Sequence, residues 1–126
     1  MNTICNVLLN TRKGDDFYLL LGDFLDEFYR SNKTARQLMI DDPPCENAMN
    51  NTGEHLSFAA ATAHKLANDY FLNIPEWVFC KQFYMTEKPH FGCRAKGSMR
   101  LLFMYKSPTE FKHRNLFVDE NVLVRV

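Results

Sequence analysis

Phe17-Tyr18-Leu19-Leu20-Leu21-Gly22-Asp23-Phe24-Leu25-Asp26-Glu27-Phe28-Tyr29-Arg30 is the stretch that decides the fold class. Phe17, Leu20, Leu21, Phe24, Leu25 and Phe28 recur at helical spacing, so six large apolar side chains fall on one stripe of a helix spanning 15–30. Asp23, Asp26, Glu27 and Arg30 take the other side. Asp15 or Asp16 caps the start and meets the positive end of the helix dipole.

Outward from this segment the same period returns. Residues 54–72 place Leu56, Ala59, Ala60, Ala63, Ala67, Tyr70 and Phe71 on one face. The small run Ala59-Ala60-Ala61-Thr62-Ala63 lets a neighbour approach closely, so this helix is expected at the centre with the 15–30 helix against it. Shorter helices are expected over 2–12, capped by Asn2, and over 33–40, with Ala35, Leu38 and Met39 inward and Asp41-Asp42-Pro43-Pro44 as the stop. Residues 45–53 read as a loop holding one helical turn. Pro75 opens a short helix carrying Trp77, Val78 and Phe79. A nearly all-apolar helix is expected from Ser98 to Lys106. Ser107-Pro108-Thr109-Glu110 has the form of a capping box for a helix that ends near Arg114, with Asn115 as a left-handed stop. Leu116-Phe117-Val118 and 122–126 form a short extended or irregular C-terminal tail. The fold expected is one all-α domain over 1–126 with about six helices.

The composition is that of a globular chain: 46% hydrophobic and 24% charged residues exclude disorder. No apolar run approaches the ~18 residues of a membrane helix, so no membrane partner is expected. The net charge is zero, yet residues 1–80 carry 6 basic and 11 acidic side chains and residues 81–126 carry 9 and 4. This asymmetry fits two halves that complement each other, or a basic surface for an anionic partner. Cys5, Cys45, Cys80 and Cys93 follow no export signal and no zinc-ligand spacing, which predicts reduced thiols, no metal and a cytoplasmic location.

The chain has no glycine-rich phosphate loop, no nucleophile elbow, no HExxH and no CxxC. No catalytic, cofactor or metal residue is assigned, and no cofactor is expected. His64 reads as a half-buried helix-flank residue rather than the base of a Cys/His pair. The candidate contact residues for a partner are Arg94, Lys96, Arg100, Lys112, Arg114 and Arg125, with the aromatics of the segment 81–97 interleaved among basic residues. Lys112, His113 and Arg114 also suit the negative end of their helix.

The order FLDEFYR, DDPP, ANDYFLNIPEWV and SPTEFKHRNLFVDENVL resembles a family of small bacterial proteins, over Phe17 to Val124. Its most specific part is Ser107, Pro108, Phe111, Arg114, Asn115, Phe117, Val118 and Leu123; the match fades between Lys81 and Gly97. The arrangement is similar to regions that follow helix-turn-helix domains in regulators and to proteins encoded beside toxin–antitoxin components. The resemblance implies a non-catalytic interaction or regulatory protein of antitoxin-like type, with another protein or a second copy as partner. The alternative is a nucleic-acid-binding module using the basic C-terminal half. A small enzyme is the third reading.

Overall fold

The computed structural model describes residues 2–84, 90–91, 106–118 and 122–123, and these are mostly helical. Helix α1 spans Ile4–Arg12, α2 Phe17–Arg30, α3 Lys33–Asp41 and α4 Gly53–Asp69. Each of these four begins on a side-chain oxygen that accepts from a first-turn N–H. Thr3 bonds Asn6, Asp16 bonds Tyr18 and Leu19, Asn32 bonds Ala35, and Thr52 bonds His55. The cap of α1 is thus Thr3 rather than Asn2, whose N–H instead donates to the Glu27 carboxylate at 2.7 Å and ties α1 to α2.

After α4 come two short 3-10 turns, Glu76–Phe79 and Lys81–Phe83, and then a single-turn helix α5, Thr109–Lys112. Pro75 stands just before the first 3-10 turn rather than inside it. Strand β1 (His90–Phe91) pairs in parallel with β2 (Leu116–Phe117), a two-residue element that an all-α reading omits. The helix expected at 98–106 lies outside the described residues except for Lys106, as do 119–121 and 124–126 of the tail.

Helix α4 is central, as its small side chains imply. All eight residues from Leu56 to Ala63 are buried, so this stretch is covered on every side. Its neighbours are α1, both 3-10 turns and α5. The expected partner, α2, instead packs chiefly on α1 and reaches α4 through rings. Phe17 stacks on His55 with centroids 4.5 Å apart, and Phe28 meets Tyr70 at 5.6 Å. The apolar stripe of α2 is otherwise interior as expected: Phe17, Leu21, Phe24, Leu25 and Phe28 are buried. Phe111 on α5 is also buried and packs edge-on against Phe58 at 5.0 Å.

Ser107 does not cap α5. Pro108 is extended and occupies the cap position without a side-chain bond, so the serine points elsewhere. Its hydroxyl donates to the Val118 carbonyl at 2.8 Å and accepts from the Val118 N–H at 2.7 Å. The serine therefore fastens the segment after α5 back to the start of α5. Asn115 adopts φ +63 between them, the left-handed stop read from the sequence. Because Val118 is buried, Ser107→Ala leaves its N–H and C=O without that partner and is expected to cost about 1–3 kcal/mol. Urea denaturation of the variant measures it; a loss within ~0.5 kcal/mol, the range of ordinary surface substitutions, would mean that the serine bridges nothing.

Candidate functional site

Two of the six basic residues expected to form a contact surface, Lys112 and Arg114, are among the described residues. Arg94, Lys96, Arg100 and Arg125 lie outside the described residues. Lys112 is half-buried and engaged in contacts of its own. Arg114 is fully buried, which corrects its place on a contact surface: it presents no charge to a partner.

Its guanidinium sits instead where three elements meet. Nη2 donates to the Val78 carbonyl of the first 3-10 turn at 2.7 Å. Nη1 donates to the Glu110 carbonyl of α5 at 2.8 Å and stands 3.3 Å from His64 Nδ1 on α4. The Tyr84 ring lies beneath the guanidinium, 4.8 Å from its carbon. Nε is buried with no hydrogen-bond partner. Burial pulls the Arg114 pKa down, and Tyr84 and Glu110 act against that shift.

Arginine offers donors only, so the contact with His64 requires an unprotonated Nδ1 and a neutral ring carrying its proton on Nε2. Burial and the adjacent Arg114 cation both push the His64 pKa below its ordinary value near 6.5. Phe79 covers the imidazole edge-on at 5.2 Å. A cation and an aromatic ring hold this imidazole neutral; they do not prepare a nucleophile.

A second feature is on the surface, and two of its residues, Leu38 and Phe71, were expected inside. Leu38 is 52% exposed on α3, and Phe71 is 86% exposed beyond α4. Helix α4 stops at Asp69, before the end of its apolar pattern, because the chain turns left-handed at Phe71, φ +57. The Leu72 N–H bonds back to the Ala67 carbonyl at 2.9 Å and closes a Schellman-type stop. That stop normally carries glycine at the left-handed position, and here it carries phenylalanine. Gln37 then clamps the turn: its amide donates to the Asn73 carbonyl at 3.0 Å and accepts from the Asn73 N–H at 2.8 Å. This pair of bonds holds Leu38 of α3 beside the turn that carries Phe71 and the exposed Ile74. A shallow groove of about 370 Å³ runs along Lys33, Thr34, Gln37 and Leu38. Asp41 and Glu76 line a second cleft with Trp77, whose Nε1 donates to the Ile40 carbonyl at 2.9 Å.

A scan against protein-family models, a search of curated proteins and a search of solved structures each found no match. Among the described residues no group of three or more His, Cys, Asp or Glu is placed to hold a metal, and no helix is long and apolar enough to cross a membrane.

The neutral histidine has a measurable consequence. A group whose folded pKa lies below its unfolded one contributes stability that is full above the unfolded value and lost as pH falls. The unfolding midpoint is therefore expected to drop as pH is lowered through about 6.5. His64→Asn should flatten that part of the profile. Thermal melts between pH 7.5 and 5.5 check it; identical pH profiles for the two proteins would show that His64 titrates freely.

Proposed function

We propose that this chain is a non-catalytic interaction protein and that its docking face is the patch of Leu38, Phe71 and Ile74. The observation that carries the reading is Phe71: a large apolar ring, 86% exposed, held in a backbone conformation unfavourable to it. A left-handed non-glycine residue costs on the order of 1–2 kcal/mol, and an exposed ring returns nothing to the folded monomer. Strain of this kind, at a residue inside a turn closed by the Leu72–Ala67 hydrogen bond, fits an anchor that is buried in a partner.

The partner is a different protein that offers an apolar cleft with a basic rim. Asp41, which accepts from Gln37 Nε2 at 2.7 Å, and Glu76, two residues after Ile74, put carboxylates next to the patch, and a second copy would bring the same acidic groups against each other. The antitoxin-like role implied by the sequence resemblance is the form of this proposal that names a biological setting. The basic-surface alternative has less support, since Arg114 is interior and Lys112 is half-buried.

Phe71→Asn separates fold from function. Asparagine tolerates the left-handed region, so the variant is expected to be as stable as the wild type or more stable by about 1 kcal/mol. Its affinity for a partner captured on the wild-type protein and then purified should fall by at least about 30-fold, the loss of an interface hot spot. Titration calorimetry and thermal melts read both. Unchanged affinity would remove the patch from the interface. A wild-type dimer that Phe71→Asn dissociates would make the partner a second copy.

A further inference from the structure

Two cavities share part of their walls at the C-terminal end of α3. The wider, of about 570 Å³, is lined by Asp41, Pro43, Pro75, Glu76, Trp77 and Cys80. The narrower, of about 190 Å³, shares Pro43, Trp77 and Cys80 and adds Pro44, Met49 and Phe83, with Gln82. Three common residues set the cavities side by side, so one cleft has a carboxylate end and an apolar end. It lies between the Asp-Pro-Pro exit of α3 and the two 3-10 turns. The wider part falls within the roughly 300–1,000 Å³ typical of small-molecule sites.

The side chains of the wider cavity offer acceptors and almost no donors. The Trp77 indole N–H is spent on the Ile40 carbonyl at 2.9 Å, so what the ring gives the cleft is carbon and π surface. Phe83 braces that ring edge-on at 5.1 Å. Pro43 and Pro75 have no backbone N–H. The Cys80 N–H bonds to the Trp77 carbonyl at 3.0 Å, and its thiol is a weak donor. Two carboxylates remain. Asp41 accepts from Gln37 Nε2 at 2.7 Å with one oxygen. Neither Asp41 nor Glu76 is in an ion pair among the described residues, where Lys65–Asp69 is the one such pair.

Such a wall repels anions, and it leaves an extended peptide with few N–H groups to pair its carbonyls. It suits a ligand that brings the positive charge itself. A cationic head meets the carboxylates and the indole, and an apolar body covers Met49 and Phe83. We infer that this cleft binds a small organic cation, an ammonium group carried on an apolar body, through Asp41, Glu76 and Trp77. The site uses none of the apolar residues of the Phe71 face, so the failure of either reading leaves the other standing.

Trp77 is the only tryptophan of the chain, so its emission reports on this cleft. Benzyltrimethylammonium is the probe, with benzyl alcohol as neutral and benzoate as anionic counterpart, each titrated into the full chain at constant ionic strength. The cation is expected to change Trp77 emission saturably, with an apparent Kd at least about tenfold below that of either counterpart. At saturation the alkylation of Cys80 by iodoacetamide slows, while that of Cys45, exposed and outside both walls, does not. Asp41→Asn with Glu76→Gln keeps the side-chain shapes and removes both charges. It is expected to weaken the cation at least about tenfold and to leave benzyl alcohol unchanged. A wild-type protein whose emission shows no saturable response to the cation, that binds benzyl alcohol equally well, or whose Cys80 stays as reactive with the cation present overturns the inference, and those measurements need no variant to fold.

Discussion

A buried guanidinium is the constraint around which this fold closes. Arg114 satisfies carbonyls on α5 and on the first 3-10 turn while it faces His64 on α4, so three elements distant in sequence are held by one side chain. The charge is out of water and therefore expensive unless its donors are used. Nη1 and Nη2 make three contacts, to the Glu110 and Val78 carbonyls and to His64, and the Tyr84 face supports the plane from below. Much around the site follows from that requirement. Asn115 turns left-handed directly after it, His64 stays neutral, and Ser107 bonds Val118 so that the chain after the arginine returns to α5.

A second guanidinium is used in a related way at the C-terminal end of α2. Arg36 donates to the Phe28 and Tyr29 carbonyls at 2.9 and 3.1 Å and lies over the Phe28 and Tyr70 rings. A cation at a helix C-terminus meets the negative end of the dipole. Both arginines thus act on carbonyls and rings, and among the described residues the one carboxylate ion pair is Lys65–Asp69 on the α4 surface.

The parts of the fold legible in the sequence are those with local causes. The stripe of α2, the small central face of α4, the cap at Asp16 and the stop at Asn115 each depend on side chains within a turn or two, and periodicity or cap chemistry reveals them. What was misread depends on long-range bonds. Phe71 fits the apolar period of α4, but the helix ends at Asp69 and the Gln37 clamp on Asn73 holds the turn outward. Leu38 has the right spacing for the inside of α3, yet Met39 and Ile40 take that side. Ser107 has the spacing of a capping box, but its hydroxyl finds Val118 eleven residues on. Arg114 looked like a surface cation because arginine is usually exposed; only its tertiary surroundings bury it. A left-handed aromatic leaves no signature in composition or spacing, so the patch that carries the functional proposal was hidden for the same reason.

The claim that Arg114 is an interior clamp is tested most directly by Arg114→Met under chemical denaturation. Methionine retains length and apolar stem but leaves the Val78 and Glu110 carbonyls without their donors. The account predicts a loss of about 2–5 kcal/mol, from carbonyls left unpaired and packing disturbed. A loss below ~0.5 kcal/mol, the size expected of a surface cation, would contradict it.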